Sequence, residues 1–574
     1  MPLPTETDVI VIGSGAAGLA TACVCKAMGF DVVVMEKEPH FGGTTALSGA
    51  AIWIPLSRAA REGGSDDSRA EVLRYLHTTI GETADTAHLE AFVDNARDAL
   101  EFLERHNHLN YKLRKIAPDY HCENGGATEF GRVLDVVEFD GRRLGKNFSN
   151  LRAPLRTHLV FGGMMVNRAD VRSLLHFGRT RADTWRSIKL IGRYALDRVR
   201  GKRGTRLVVG SALTAQLALS VLEAGIPVLL NASASELLKD DKRVTGIKYT
   251  TQDGVAHTLT ARCAVVLAAG GFAAHKGKSQ SARGRPDVGH FSMASTSATA
   301  DGQNLAQDVG AVMAPKAKSA FFWAPVSIRQ TQQGELVQFA HLTLDRAKPG
   351  VIAVNQVGHR FTNEADSYHR FGTALQSLPE AGKTKPVAWL ICDANALLKN
   401  GLGLARPFPA HRGYRKLIQD NYLIKEDSIA ALADRLSIPT ETLAATTERH
   451  NEFARSGIDG DFAKGASAHN VSLGDPANTP NPCLAPIAQA PFYAIGLHSG
   501  DLGTALGLKT DTKARVLNDE GDPIERLYAV GNDMNSIMGG TYPAAGITLG
   551  PALTFAYVAA RNIAEKYATK KEPK

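Results

Sequence analysis

The first forty residues restrict this chain more than any other segment. Asp8-Val-Ile-Val-Ile reads as a buried β-branched strand, Gly13-x-Gly15-x-x-Gly18 follows at once, and a helix then runs to about Met28. A second strand, Asp31 to Met35, ends at an acid, Glu36, 23 positions after Gly13. A lone G-x-G-x-x-G says little, but between strand and helix, with an acid at this distance, it marks a dinucleotide site. Gly13 permits the tight turn, Gly15 lets a pyrophosphate approach the backbone, and Gly18 lets the helix pack on the strand. The helix start, with Ala16 and Ala17 in its first turn, offers free N–H groups and a positive dipole end to phosphates. Glu36 is placed to accept from ribose hydroxyls.

Length then limits what can surround that unit. At roughly 150 residues per domain, 574 residues allow three or four domain equivalents, or two large domains if one is discontinuous. A composition of 44% hydrophobic and 22% charged residues excludes a disordered chain. The six cysteines (Cys23, Cys25, Cys122, Cys263, Cys392, Cys483) form no C-x-x-C pair, so neither a zinc site nor a disulfide framework is expected, and no metal. A reducing cytoplasm fits that usage. No apolar run reaches spanning length: the longest, Leu207 to Leu222, is broken by Gly210, Ser211, Thr214 and Gln216. A cleaved leader is not expected either, because the first apolar run belongs to the nucleotide site.

The segment after Glu36, Lys37-x4-Gly42-Gly43-Thr44-Thr45-Ala46-Leu47-Ser48-Gly49-Ala50, departs from a plain NAD domain. It resembles the flavin-contacting loop of the fumarate reductase and succinate dehydrogenase flavoprotein superfamily. That resemblance implies FAD, contacted by Lys37, Gly43, Thr44, Thr45, Ser48 and Gly49. The covalently flavinylated members carry a histidine in this loop; none stands between Gly42 and Ala50, so noncovalent FAD is expected. Two further stretches are similar to the superfamily. Ala264 to Phe272 reads as a buried strand running into a turn with Ala269, Gly270 and Gly271, and Leu527 to Asp533 reads as a last strand delivering Gly531, Asn532 and Asp533. After Gly539-Gly540-Thr541-Tyr542 come Gly546, Thr548 and Leu549, opening an apolar helix to about Ala564 that is aimed at the flavin pyrimidine edge. Between these lie a helix at Ala212 to Ala224, a strand at Pro227 to Leu230, and a hairpin of Val244–Thr250 and Ala256–Thr260 about Asp253-Gly254. The expected fold class is α/β: a Rossmann-like discontinuous FAD-binding domain (1–295 and 495–574) with an inserted α+β catalytic cap domain (296–494). The cap should contain helices at Asp427 to Leu436 and Thr440 to Ser456, with substrate bound at the interface over the flavin.

Four local patterns narrow the resemblance to the bacterial 3-ketosteroid Δ1-dehydrogenases: Pro118-Asp119-Tyr120 before Gly125-Gly126; Arg360-Phe361-x-Asn363-Glu364-x3-Tyr368; a Gly500-Asp501-Leu502-Gly503-Thr504 loop; and Tyr542-x3-Gly546. The resemblance implies that the Tyr542 hydroxyl and Gly546 N–H clamp the C3 carbonyl of a 3-ketosteroid. It further implies that Tyr368 removes the C2 proton, Tyr120 supports it or relays the proton, and flavin N5 takes the C1 hydride. A tyrosine with its ordinary pKa of ~10 is a weak base at neutral pH, so hydrogen bonds and nearby positive charge are expected around it. Two departures flank the A-ring pocket: Thr504-Ala505-Leu506-Gly507 replaces the usual Thr-Lys-Gly-Gly, and Tyr542-Pro543-Ala544-Ala545-Gly546 the usual Tyr-x-Gly-x-Gly. They leave open a Δ4-dehydrogenase or a dehydrogenase of another cyclic ketone. The arginine and histidine set of a fumarate reductase-like enzyme is not found. His498 and Asp366 are open between site and scaffold roles; Cys23 and Cys25 read as helix packing.

One segment lies outside this scheme. Ten basic residues against two acids between Arg179 and Arg206 hold the whole net charge of +8. Trp185, Ile188, Ile191, Ala195 and Val199 recur within it at helical spacing. The readings are a solvated basic helix packed on the protein, an amphipathic helix on the inner face of a membrane, or an RNA-binding element. The scarcity of aromatics disfavours nucleic acid. The electron acceptor is not legible.

Overall fold

A computed structural model describes residues 3–567 except 202, 242, 286–288, 316, 380, 381, 383, 384 and 409. The first strand, Glu6–Ile12, is buried along its β-branched stretch, and it lies between Val32–Met35 on one side and Ala256–Leu267 on the other, parallel to both. Val228–Leu229 extends this parallel sheet at one edge and Pro523–Ala529 joins Ala256–Leu267 on the far side. Near-continuous burial of such strands is what helices on both faces require. Helix Ala16–Ala27 packs against the closing helix Leu549–Tyr567 and against helix Val209–Glu223.

The hairpin is longer than its sequence signal. Ala256–Leu267 is one strand: residues 256–260 pair antiparallel with Arg243–Thr250, and the remainder runs parallel to Glu6–Ile12. The alternating pattern of its first half reflects one exposed face, and its apolar second half is buried on both.

The second sheet is the cap, ordered Leu336–Ala340, Phe321–Gln330, Phe492–Thr504, Ala388–Cys392, Val351–Asn355, with His290–Ser292 and Ile424–Glu426 also pairing to Phe492–Thr504. The cap sheet therefore takes strands from beyond both the 295 and 495 boundaries. Gly500 to Thr504 accordingly form the end of a strand of 13 residues, in place of a loop. The glycines serve close approach: a Cβ on Gly500 would stand 2.4 Å from Val326 Cγ2. Cap helices Ile429–Leu436 and Thr440–Ser456 form as expected, the first starting after Ser428, whose Oγ accepts from the Ala431 N–H. No helix among the described residues is long and apolar enough to cross a membrane.

The basic segment forms helix Arg181–Arg200, capped by Thr180. Asp197 turns inward and accepts from the Thr205 N–H at 2.7 Å, whereas Trp185, Leu196 and Val199 are 59%, 62% and 87% exposed. The apolar stripe faces solvent. Lys202 lies outside the described residues.

Candidate active site

A cleft of about 1140 Å³, counted together with its open mouth, runs from the end of Val32–Met35 to the start of the closing helix. Gly13, Gly15, Ala16, Ala17, Glu36 and Lys37 line one end, and Gly43, Thr44, Thr45 and Ser48 a side wall. Ala269, Gly270, Gly531, Asn532, Thr548 and Leu549 line the remainder. The backbone explains the glycines: a Cβ on Gly13 (φ +110°) would fall 2.2 Å from the Ala268 carbonyl, and one on Gly18 2.0 Å from the Gly13 carbonyl. Gly18 thus packs helix on strand and lies outside the cavity wall. Gly15 has open space beside it, with only Thr45 Oγ1 at 3.6 Å from a built Cβ.

The helix start is not wholly free. The Ala16 N–H donates to Thr45 Oγ1 at 3.0 Å, while the Gly15 and Ala17 N–H groups meet no acceptor among the described residues. Glu36 accepts from Ser14 N–H and Ser14 Oγ at 3.2 and 2.5 Å and from the Glu38 N–H at 3.0 Å. Its oxygens keep lone pairs toward the cavity. Lys37 is tied to Asp301 and Thr299.

Five of the sequence-derived contact residues, Gly18 with Gly49, Gly271, Asp533 and Gly546, do not line the cavity. Gly49 precedes the strand Ala51–Trp53. The Asp533 carboxylate accepts from the Ala269 and Gly271 N–H groups at 2.5 and 3.0 Å, cross-linking the two strand ends, and burial raises its pKa to about 6. Gly271 and Gly546 lie off the cavity as well. Conversely, Ser14, Ala232 to Ala234, Ser295, Ser297, Asp301 and Leu502 line it without having been read. Ser14 is an unspecified position of the glycine motif, and the rest, mostly small residues, are brought in by chain crossings. An elongated cradle with a pyrophosphate-sized glycine turn, unpaired N–H groups and a carboxylate at one end fits FAD.

Tyr120, Tyr368 and Tyr542 converge beside this cavity, 6%, 6% and 4% exposed. Their ring centroids lie 5.6 Å (Tyr120–Tyr368), 5.0 Å (Tyr368–Tyr542) and 5.9 Å (Tyr120–Tyr542) apart. The Tyr368 hydroxyl interacts with those of Tyr120 and Tyr542, and Tyr542 also with Thr548, a cavity residue. Gly546, at φ +95°, gives its carbonyl to the Trp53 N–H, and its own N–H has no acceptor among the described residues. Phe322 meets the Tyr542 ring edge-on at 5.2 Å and lines a second, smaller cleft that shares Gly531, Asn532, Thr548 and Ala552 with the first.

Each tyrosine is held by a local device. The Tyr120 N–H donates to the Pro543 carbonyl at 2.8 Å, joining its loop to that of Tyr542, and the preceding Asp119 accepts from Arg132 and Trp53. Tyr368 opens helix Tyr368–Gln376, capped by Ser367. Before it, Arg360 bonds both Glu364 and Asp459 at 2.8–3.0 Å, and Glu364 accepts from the Ala353 N–H. The motif around Tyr368 is therefore a brace. Arg346, 1% exposed, donates to the carbonyls of Glu364 and Asp366 on the same stretch. Asp366 itself accepts from the Ser367 N–H and serves the turn.

Electrostatics divides the three. Burial raises all of them; for Tyr120 the Tyr368 hydroxyl and then Arg114 and Arg346 oppose the rise, whereas Tyr368 is pushed further up by Tyr120 and Tyr542. The positive charge expected near the base acts on Tyr120. His498 is outside the cluster, edge-on to Phe291 at 5.2 Å, and burial lowers its pKa to about 4. Asp501 accepts from His290 Nε2 at 2.5 Å. Cys23 and Cys25 are buried packing.

Comparison with known proteins places the chain in a family. The FAD binding domain family model matches residues 8–549. The 3-oxosteroid 1-dehydrogenase of Mycolicibacterium smegmatis is 35% identical over 97% of this chain and 97% of its own length. The 4-oxocyclohex-2-ene-1-carboxylate 5-dehydrogenase of Sinomonas cyclohexanicum is also 35% identical, over 97% and 93%. The crystal structure of the 3-ketosteroid delta1-dehydrogenase from Sterolibacterium denitrificans, in complex with 1,4-androstadiene-3,17-dione, matches with a TM-score of 0.89 at 34% identity, covering 98% of this chain and 100% of that one. The chain belongs to the FAD binding domain family of flavin-dependent oxidoreductases, in the branch that holds the 3-oxosteroid 1-dehydrogenases.

Proposed function

We propose that the protein introduces a C1=C2 double bond into the A ring of a 3-ketosteroid. The observation that carries this reading is the convergence of three buried tyrosines beside the flavin cavity, with an unengaged Gly546 N–H four residues after Tyr542. The Tyr542 hydroxyl and the Gly546 N–H bind the C3 carbonyl oxygen and stabilise the enolate-like charge that grows there as C2 loses its proton. Tyr368 accepts that proton, and Tyr120, nearer to Arg114 and Arg346, shares the negative charge of the deprotonated pair. When bound, FAD supplies the acceptor for the C1 hydride. Burial of all three rings keeps water from the developing charge.

The test is anaerobic mixing of the holoprotein with a panel of 3-ketosteroids, cyclic oxo-acids and fumarate. Bleaching of the flavin by 4-androstene-3,17-dione, with a C1=C2 product, supports the reading. A C4=C5 product from a 5α-reduced ketosteroid would replace it with Δ4 chemistry, and oxidation of the pre-reduced protein by fumarate would replace it with a fumarate reductase. A second reading, a smaller 4-oxocyclohexene carboxylate as substrate, draws on the equal identity to the Sinomonas enzyme and uses the same clamp and base.

The outward apolar stripe of helix Arg181–Arg200 and the surrounding basic residues favour contact with an anionic membrane, from which a lipid-soluble substrate could be drawn. Co-sedimentation with anionic vesicles that falls steeply with salt, and is lost on deleting 179–206, is the expected result. Binding to RNA without vesicle binding would overturn it.

A further inference from the structure

In the proposed reaction every turnover leaves a proton on Tyr368, in a cluster sealed from solvent. Resetting the base requires a way out. Tyr120 is the next hydroxyl, but the cations near it, Arg114 and Arg346, cannot accept a proton. Its other aromatic neighbour is His469, with ring centroids 4.5 Å apart. His469 is 3% exposed, and its Nε2 is buried with no hydrogen-bond partner. An orphaned imidazole nitrogen at such a place is costly and calls for a use.

A second orphan stands beside it. His121, the residue after Tyr120, also has a buried Nε2 without a partner, while its Nδ1 lies 3.8 Å from Glu123 Oε1. Glu123 is half exposed and pairs with Arg370 at 2.9 Å, at the surface. The two histidines thus stand between the sealed tyrosines and a solvated carboxylate. The helix carrying His469, Ala468–Leu473, is tied to the Tyr368 stretch, because Asn470 bonds the Asn363 side chain and the Ala365 carbonyl at 2.9 and 3.0 Å. The groups facing His469 are Tyr120, Arg346, His121, Arg370 and Glu123. Burial first, then Arg346, His121 and Arg370, lower its pKa to about 3, against Glu123. Such an imidazole does not store a proton but can pass one, accepting at one nitrogen while losing from the other.

We propose that His469 and His121 form the proton exit of the active site, an inference that rests on Tyr368 being the base. After C2–H is broken, Tyr368 carries the proton. It passes to the Tyr120 oxygen as the Tyr120 proton moves, through a bridging water, to His469 Nε2; His469 releases its Nδ1 proton toward His121 and the water around Glu123, and exchange with that water restores its first tautomer before the next turnover. One proton leaves, Tyr368 is again anionic, and the electron pair has left C1 as hydride by the ordinary reaction.

The experiment uses the holoenzyme, 4-androstene-3,17-dione and an artificial electron acceptor in excess. His469→Phe is expected to lower steady-state turnover by roughly tenfold or more, with the steroid KM within about twofold, a larger solvent deuterium effect, and partial recovery on adding imidazole. His469→Asn, which keeps a polar side chain but cannot relay a proton, should behave alike and serves if the first variant does not retain flavin. Turnover near the parent value, or a loss with unchanged deuterium effect and no recovery, would overturn the exit route. Tyr368→Phe in the same assay separates the two ideas: retained turnover there removes the base assignment, whereas an inactive, imidazole-insensitive Tyr368→Phe leaves only the exit in question.

Discussion

Replacing Tyr542 by Phe removes one oxygen and nothing else from the centre of the cluster. The ring contacts with Tyr368 at 5.0 Å, Phe322 at 5.2 Å and His369 at 6.0 Å survive in the phenylalanine. No cavity forms, so folding should lose only the buried hydroxyl's hydrogen bonding, about 1 kcal/mol. Chemistry should lose far more. With the hydroxyl gone, Gly546 N–H is the sole clamp donor, and loss of one such donor costs about 2.7–4 kcal/mol in the transition state, roughly a 10²–10³-fold slower reduction. A neutral hydrogen bond to the ground-state ketone contributes only about 0.5–1.5 kcal/mol, so binding should weaken by about tenfold at most. Anaerobic stopped-flow absorbance gives both quantities from one titration, the plateau rate and the steroid concentration for half-saturation. Equal, small losses in the two would refute the reasoning: Tyr542 would then be a pocket wall, and the placement of the C3 carbonyl against Gly546 would fall with it.

Acid precipitation should release intact FAD into the supernatant, and Glu36→Ala should weaken FAD retention by about 1.5–3 kcal/mol, one charge-assisted hydrogen bond, read by fluorescence of the released flavin; flavin remaining on the precipitate would contradict noncovalent binding. Arg360→Met strands the buried carboxylates of Glu364 and Asp459, so thermal denaturation should show a loss of about 3–5 kcal/mol, and a melting point unchanged from the parent would mean the brace is idle. All three tyrosines are raised from their ordinary pKa, with burial first, and in the proposed mechanism the working base is the anion. The logarithm of the flavin-reduction rate should therefore climb with pH at a slope of about 1, without levelling below about pH 10. A plateau near neutrality would point to a different base.

What the sequence disclosed depends on how locally each feature is written. The first strand, the glycine turn and Glu36 lie within thirty-odd consecutive positions, and their spacing alone specifies the turn that a Cβ on Gly13 would destroy. The stripe from Trp185 to Val199 is a property of one helix, so its period was readable, but its outward aim is seen only in the exposure of Trp185, Ile188, Ile191 and Val199. Gly500 to Thr504 misled because glycine signals a turn and close strand packing alike; only the neighbouring strand, Phe321–Gln330, distinguishes them. Ser295, Ser297, Asp301 and Leu502 reach the cavity through crossings hundreds of residues from Gly13, with no motif of their own. Arg346 and His469 are likewise silent in sequence: each meets Tyr120, far away along the chain, and no motif announces either.

The parallel sheet has a consequence for how the protein is made. The apolar end of its strand Ala256–Leu267, residues 265–267, receives its outer partner from Pro523–Ala529, and the last wall of the flavin cavity comes from residues 531–552. A nascent chain that has emerged as far as the cap holds the glycine turn and Glu36 but an unpaired, apolar strand edge and a cavity open on one side. Flavin loading must then follow release of nearly the whole chain from the ribosome, and the interval before it is one in which that edge is available to other chains. Supply of flavin during synthesis should therefore raise the yield of soluble protein only through its final step, by trapping the completed fold as it closes.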